Sequence, residues 1–197
     1  MPVFDYDPPE RFVAGAVGQP GSRAFFLQAR GQGRLTTVGL EKFQVAALAD
    51  RLDELLDEVL RRSGGTAQVP AAAPAGLTDN GPLDVPISED FKVGTMALAW
   101  DADTAQVVIE AQEIVAEDEE FEESSLAGLT EAAEPAVLRV HISPGVARAF
   151  TKRAMALVAA GRPPCPLCGQ PLDADGHICV RLNGYRGSSA SSVEGGE

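Results

Sequence analysis

Residues 24–62 read AFFLQARGQGRLTTVGLEKFQVAALADRLDELLDEVLRR, and this stretch decides the fold class. Over Arg23 to Arg30, Phe25, Leu27 and Ala29 fall on one side of an alternating pattern, which predicts a strand. Gly31-Gln32-Gly33 predicts a hairpin connection, and Arg34 to Leu40 the return strand. Then the period changes. From Glu41 to Arg62, Val45, Leu48, Leu52, Leu55, Leu56 and Val59 recur at helical spacing, with acids between them. Gly64-Gly65 ends the helix. A helix fed directly by strands, with one apolar stripe, is expected to cover one face of an antiparallel sheet.

Working outward, Phe12 to Val17 predicts an earlier strand, and Gln19-Pro20-Gly21-Ser22 the turn that follows it. Residues 64–88 are rich in Ala, Pro and Gly and read as a linker or long loop. Phe91 to Trp100 and Thr104 to Val115 predict two strands around the turn Asp101-Ala102-Asp103, and Ala136 to Ile142 predicts a third. Ser143-Pro144 opens a second helix, carrying Val146, Phe150, Leu157 and Val158 to about Ala160, where Gly161 and Pro163-Pro164 end it. Three strands and a helix thus occur twice. The expected fold is α+β: two βββα units with antiparallel sheets, residues 1–63 and 89–162, joined through 64–88. A small zinc module at 163–186 and a disordered tail at 187–197 complete the chain. Identity between the halves is low, so duplication is read from element order alone. Whether the halves form one sheet or two is open at this level.

With 197 residues, 45% of them hydrophobic and 23% charged, the chain can bury a core and is globular. The net charge of −13 argues against a generally basic nucleic-acid binder. No apolar run approaches the roughly 20 residues of a membrane span. The start, Met1-Pro2-Val3-Phe4-Asp5-Tyr6-Asp7, lacks a basic region followed by an apolar block, so a cytoplasmic location is expected. Charge is unevenly spread. Residues 1–140 hold 10 basic and 25 acidic side chains. Residues 141–186 hold six basic ones (Arg148, Lys152, Arg153, Arg162, Arg181, Arg186) against Asp173 and Asp175. This basic end reads first as ordinary solvated surface and, more sharply, as a docking face for an anionic partner. Residues 117–123 place six acids in seven positions, within an acidic loop at 116–125 that is expected to be solvated.

All three cysteines lie in fifteen residues, as Cys165-Pro-Leu-Cys168-Gly, seven residues, His177-Ile-Cys179. Three sulfurs and an imidazole are a ligand set for tetrahedral zinc. The two-residue spacer lets both thiolates reach one ion, and Gly169 permits the tight turn beneath it. Asp173-Ala174-Asp175-Gly176 supplies the turn that returns the second pair, and either Asp is a less favoured substitute for His177 as ligand. The competing reading is a redox dithiol at Cys165 and Cys168. Such a pair normally opens a helix after a strand, whereas this one follows a helix stop and two prolines. A disulfide would leave one thiol over. Four side-chain ligands leave no open position, so one structural zinc per chain is expected.

Other chemistry is sparse. His141, at a strand end, is a candidate general base, but a lone histidine there is more often structural. Glu110 and Glu113 point to opposite faces of a strand and make no acid pair. No phosphate loop, nucleophile elbow or dinucleotide fingerprint is present. A non-enzymatic protein is the expectation, and a site built from loops is the enzymatic alternative.

The segments Phe25-Phe26-Leu27-Gln28-Ala29-Arg30, Glu41 to Ala49, and Cys165-Pro166-Leu167-Cys168-Gly169 through Asn183-Gly184-Tyr185 resemble an actinobacterial family, domain-of-unknown-function family 3090. The likeness spans nearly the whole chain apart from the linker, the acidic loop and the tail. It implies an intracellular protein whose gene lies beside those of a kinase-like and a histidine-phosphatase-like protein, and it carries over no activity. One departure is Val180, where the family motif implies proline before the arginine. A more distant likeness, strands feeding a helix from Gly33 to Leu56, is to the repeats of PUR-type single-strand nucleic-acid binders. With 6% aromatics and an acidic balance, this chain has that topology without its electrostatics. The leading expectation is a zinc-binding adaptor or regulator with a protein partner.

Overall fold

The computed structural model describes residues 2–64, 67–115, 134–161, 165–169, 179 and 181. The strands are β1 (Val3–Tyr6), β2 (Arg11–Val17), β3 (Ala24–Gly31), β4 (Arg34–Leu40), β5 (Phe91–Asp101), β6 (Gln106–Glu113) and β7 (Val137–Ile142). The helices are α1 (Lys42–Arg62) and α2 (Pro144–Ala159). All seven strands form one sheet, in the order β1-β7-β6-β5-β4-β3-β2. The fold is therefore α+β, and β2–β4 and β5–β7 are each antiparallel as expected. The sheet as a whole is mixed, because β4 pairs β5 and β1 pairs β7 in parallel.

Local chemistry accounts for the elements. Gln32 and Gly33 both have positive φ, 56° and 71°, as a two-residue hairpin turn between right-twisted strands requires. The connection is thus one residue shorter than the expected Gly31-Gln32-Gly33. At the start of α1 the Glu41 N–H donates to Gln44 Oε1 at 2.8 Å. The Gln44 amide in turn donates to the carbonyls of Val93 and Gly94, at 3.0 and 3.3 Å. One side chain thereby ties the first turn of α1 to the place where β5 bends. Ser143 caps α2, accepting from the Val146 N–H, and Pro144 occupies the first turn.

The sheet folds over its inner face. β1, a strand the sequence patterns did not reveal, closes it. Tyr6 Oη lies 2.7 Å from Thr36 Oγ1 on β4, Phe4 stacks on Phe91 with ring centroids 6.2 Å apart, and Arg34 lies over the Phe4 and Tyr6 rings. α1 and α2 fill the inner side. Leu27, Val38, Val45, Leu52, Leu56, Val107, Val140 and Ala147 are fully buried there.

Residues 67–90, read from composition as a linker or long loop, hold one short 3-10 turn (Ala75–Leu77) and are tied to the fold at several points. Val69 joins the inner core. Arg148 on α2 donates to the Pro70 carbonyl at 3.1 Å and to Asp53 and Asp57 on α1. The chain then passes the β2 edge to the outer face. There Leu83 fills the space that Gly15 leaves, and Gln28 exchanges hydrogen bonds with the Asp84 backbone at 3.0 and 2.7 Å. The Thr37 N–H donates to Asp90 Oδ2 at 2.8 Å just before β5 begins. This segment is a strap that covers the outer face of β2–β4.

Asp79 anchors the strap through Arg11, at 2.7 Å, and Arg153, at 3.1 Å. The Arg11 hydrogen bond is the main reason its pKa falls from 3.8 to about 2, with burial opposing. A carboxylate depressed in the folded state contributes stability above its unfolded pKa and loses that contribution as pH falls through the folded value. The melting temperature of wild type is therefore expected to exceed that of Asp79→Asn at neutral pH. Thermal scans should show this gap closing between about pH 4 and pH 2.

Candidate metal centre

α2 ends where Ala160 donates to the Ala156 carbonyl, and Gly161 donates to Ala159. A few residues later the chain makes a tight turn at Cys165–Gly169. The Gly169 N–H donates to the Cys165 carbonyl at 2.8 Å, and Gly169 has φ of 74°. That left-handed backbone favours glycine and folds the two-residue spacer back beneath the sulfurs. The Leu167 N–H points at Cys165 Sγ from 3.4 Å.

This turn brings Cys165 and Cys168 to Cys179, eleven positions further along. All three Sγ atoms lie within 4.8 Å of one another, and Cys165 and Cys179 Sγ are 4.0 Å apart. Sulfurs bound tetrahedrally at 2.3 Å from one zinc stand about 3.8 Å apart, so the spacing suits a shared ion. It is far longer than a disulfide, and none of the three cysteines forms one. Cys165 and Cys179 are buried and Cys168 is half-buried. The Cys165 thiol is held below its ordinary pKa, mainly by backbone N–H groups of Cys168 and Leu167, with the neighbouring thiols adding to this and burial opposing it. A stabilised thiolate is what a metal ligand needs. The three cysteines can therefore hold a metal ion.

The other candidates fall elsewhere. His177, Asp173 and Asp175 lie outside the described residues, as do the acidic loop at 116–125 and the tail at 187–197. His141 stands on the outer face of β7, with Nε2 3.8 Å from Asp5 Oδ1. Beside it, Arg139 pairs with Glu110 at 2.6 Å, while Glu113 accepts from the Ala136 N–H at 2.9 Å. Glu110 and Glu113 are thus engaged separately.

Two of the six basic residues counted at the C-terminal end are internal. Arg148 is 7% exposed and clamps α2 to α1. Arg153 bonds to the Ala14 carbonyl at 2.6 Å and to the strap. Both sit on the helix flank that packs against α1 and β2, a signal visible only as cations interleaved with the apolar stripe of α2. Among the described residues no helix is long and apolar enough to cross a membrane. Neither the curated proteins nor the solved structures include a match to this chain. The family comparison does give one: residues 4–179 match the protein of unknown function family DUF3090, and the chain belongs to that family.

Proposed function

We propose that this chain is a non-enzymatic cytoplasmic adaptor or regulator that carries one structural zinc, held by Cys165, Cys168, Cys179 and His177. The observation that carries the metal half is the meeting of three thiols within 4.8 Å, two of them buried. His177, two residues before Cys179, supplies the fourth ligand and closes the coordination sphere. A closed sphere serves folding, and it makes residues 163–186 a module packed after α2. The order β2-β3-β4-α1 followed by β5-β6-β7-α2 supports reading the body as an internal repeat. The kinase-like and phosphatase-like neighbours implied by the family resemblance are the first partners to try. Single-strand nucleic acid is the weaker ligand, since Arg139 is already bound to Glu110 on the outer face and His141 faces the Asp5 carboxylate.

Elemental mass spectrometry on wild type and Cys168→Ser tests the metal. The expected result is about one zinc per chain, lost in the variant together with thermal stability. Metal-free wild type, purified without chelator, would overturn the assignment and restore the dithiol reading of Cys165 and Cys168. A pull-down with no reproducible partner would count against the adaptor half.

A further inference from the structure

Between α1 and β5 a groove of about 890 Å³ is lined by Phe43, Leu55, Met96 and Leu98 among others. A hollow of different chemistry, about 270 Å³, lies where the start of β3, the first turn of α1 and the last turn of α2 meet. Phe25, Leu157 and Val158 form its apolar wall, and Arg23 and Lys42 are its charged members. Among the described residues no carboxylate lines it. Phe25 is buried, Arg23, Leu157 and Val158 are half-buried, and Lys42 is exposed. A Cβ on Gly161 would stand 3.8 Å from Lys42 Nζ, so the ammonium lies against the turn that ends α2.

Arg23 is the exception among the arginines of the body. Residues 2–161 hold nine others, and each has a partner. Eight pair with carboxylates, and Arg34 donates to Tyr6 Oη and the Asp5 carbonyl. Arg23 has no carboxylate, carbonyl or ring partner among the described residues. Glu41 and Glu89 line the adjoining hollow of about 680 Å³, which Arg23 and Lys92 also border, yet neither acid pairs with Arg23. In a chain with 29 acids against 16 bases, an arginine without one runs against the charge balance. A guanidinium half-withdrawn from water beside an apolar wall loses hydration and receives nothing in its place. Two cations set over apolar side chains in a concave site suit an anion that carries an apolar group.

We infer that this hollow binds a small organic anion, its carboxylate or phosphate held by Arg23 and Lys42 and its apolar part set against Phe25, Leu157 and Val158. The guanidinium offers a fork of donors to two oxygens, and the ammonium adds a point charge. The volume is that of about nine water molecules at their share of the liquid, room for one ring and one acid group and little more. The chain's −13 opposes anions at a distance. At physiological salt the Debye length is about 8 Å, so the two adjacent cations outweigh more distant acids. The site shares no residue with the three cysteines, and it adds a small ligand that the adaptor reading does not supply.

Calorimetric titration of the full-length protein tests this, with phenyl phosphate, benzoate, inorganic phosphate and phenol as probes. At least one of the two aryl acids is expected to bind, about tenfold or more tightly than inorganic phosphate or phenol, because only an aryl acid uses both the cations and the wall. Arg23→Gln should weaken that binding about tenfold or more, and Lys42→Gln less. Lys92→Gln, which alters only the adjoining hollow, should leave it within about twofold. Without ligand, Arg23→Gln should melt at or above wild type, since it removes an unpaired cation. No binding of either aryl acid, equal binding of phenol or inorganic phosphate, or unchanged binding to Arg23→Gln would overturn the inference. So would an unliganded Arg23→Gln that melts several degrees below wild type, by showing a structural partner for Arg23. A phosphotyrosine peptide that binds more tightly than phenyl phosphate would also overturn it, by giving the site to a protein partner. Zinc content of Arg23→Gln should equal that of wild type, so failure here and failure of the metal site are read separately.

Discussion

Replacing Arg153 by methionine is expected to lower unfolding free energy by about 1–3 kcal/mol, the cost of leaving part-buried acceptors without their donor. The side chain leaves α2 only 14% exposed and makes four hydrogen bonds, three to backbone carbonyls and one to a carboxylate. Nε reaches the Ala14 carbonyl at 2.6 Å, Nη1 the Asp79 carbonyl at 2.6 Å and Asp79 Oδ1 at 3.1 Å, and Nη2 the Gly81 carbonyl at 2.8 Å. One guanidinium therefore joins the second helix, the edge strand β2 and the strap. Methionine keeps most of the volume but removes the donors to the Ala14 and Asp79 carbonyls, while Arg11 still donates to Asp79 and to the Gly81 carbonyl. Lysine should rescue little, because a single ammonium cannot span the fork of acceptors. Urea unfolding measures the loss, and amide exchange should rise first over residues 79–84. A loss below about 1 kcal/mol would mean that the strap is held without this clamp.

Leu52→Ala should cost about 2–5 kcal/mol, as deleting a fully buried leucine does when the cavity cannot collapse. Leu52 is 0% exposed, on the stripe of α1 that also buries Val45, Leu48 and Leu56. Leu55, three residues on, turns toward the β5 groove and is half-buried. Leu55→Ala should therefore cost less than half as much by the same denaturation assay. Equal losses would mean that the groove is closed in solution.

How far the sequence speaks depends on the range of the interaction. The stripe of α1, the alternation of β3 and the caps of α2 are set by neighbours a few residues apart, and they were legible. The order of strands β2–β4 before α1 and β5–β7 before α2 was legible for the same reason. Even so, α1 buries only part of its stripe: Leu55 and Val59, counted as core by period, line the groove instead. β1 was missed because four residues are too few for a periodic signal, and its stability comes from Val137–Val140 and from Thr36, far along the chain. The strap was missed because alanine, proline and glycine describe backbone freedom and say nothing of what the backbone touches. Arg148 and Arg153 were counted as surface charge, since their carboxylate partners lie 95, 91 and 74 positions away.

The cysteine spacing by itself pointed to three thiols that can share a metal ion, because ligand chemistry and a two-residue spacer are local properties. The same holds for the α+β class, which follows from the change of period at Glu41. Only the tertiary structure decided that both halves share one sheet, that β4 stops at Leu40 while β5 continues, and that a groove separates α1 from β5 among the described residues. Those outcomes depend on packing between segments distant in sequence, where many registers satisfy the same local pattern and only the shared core selects one.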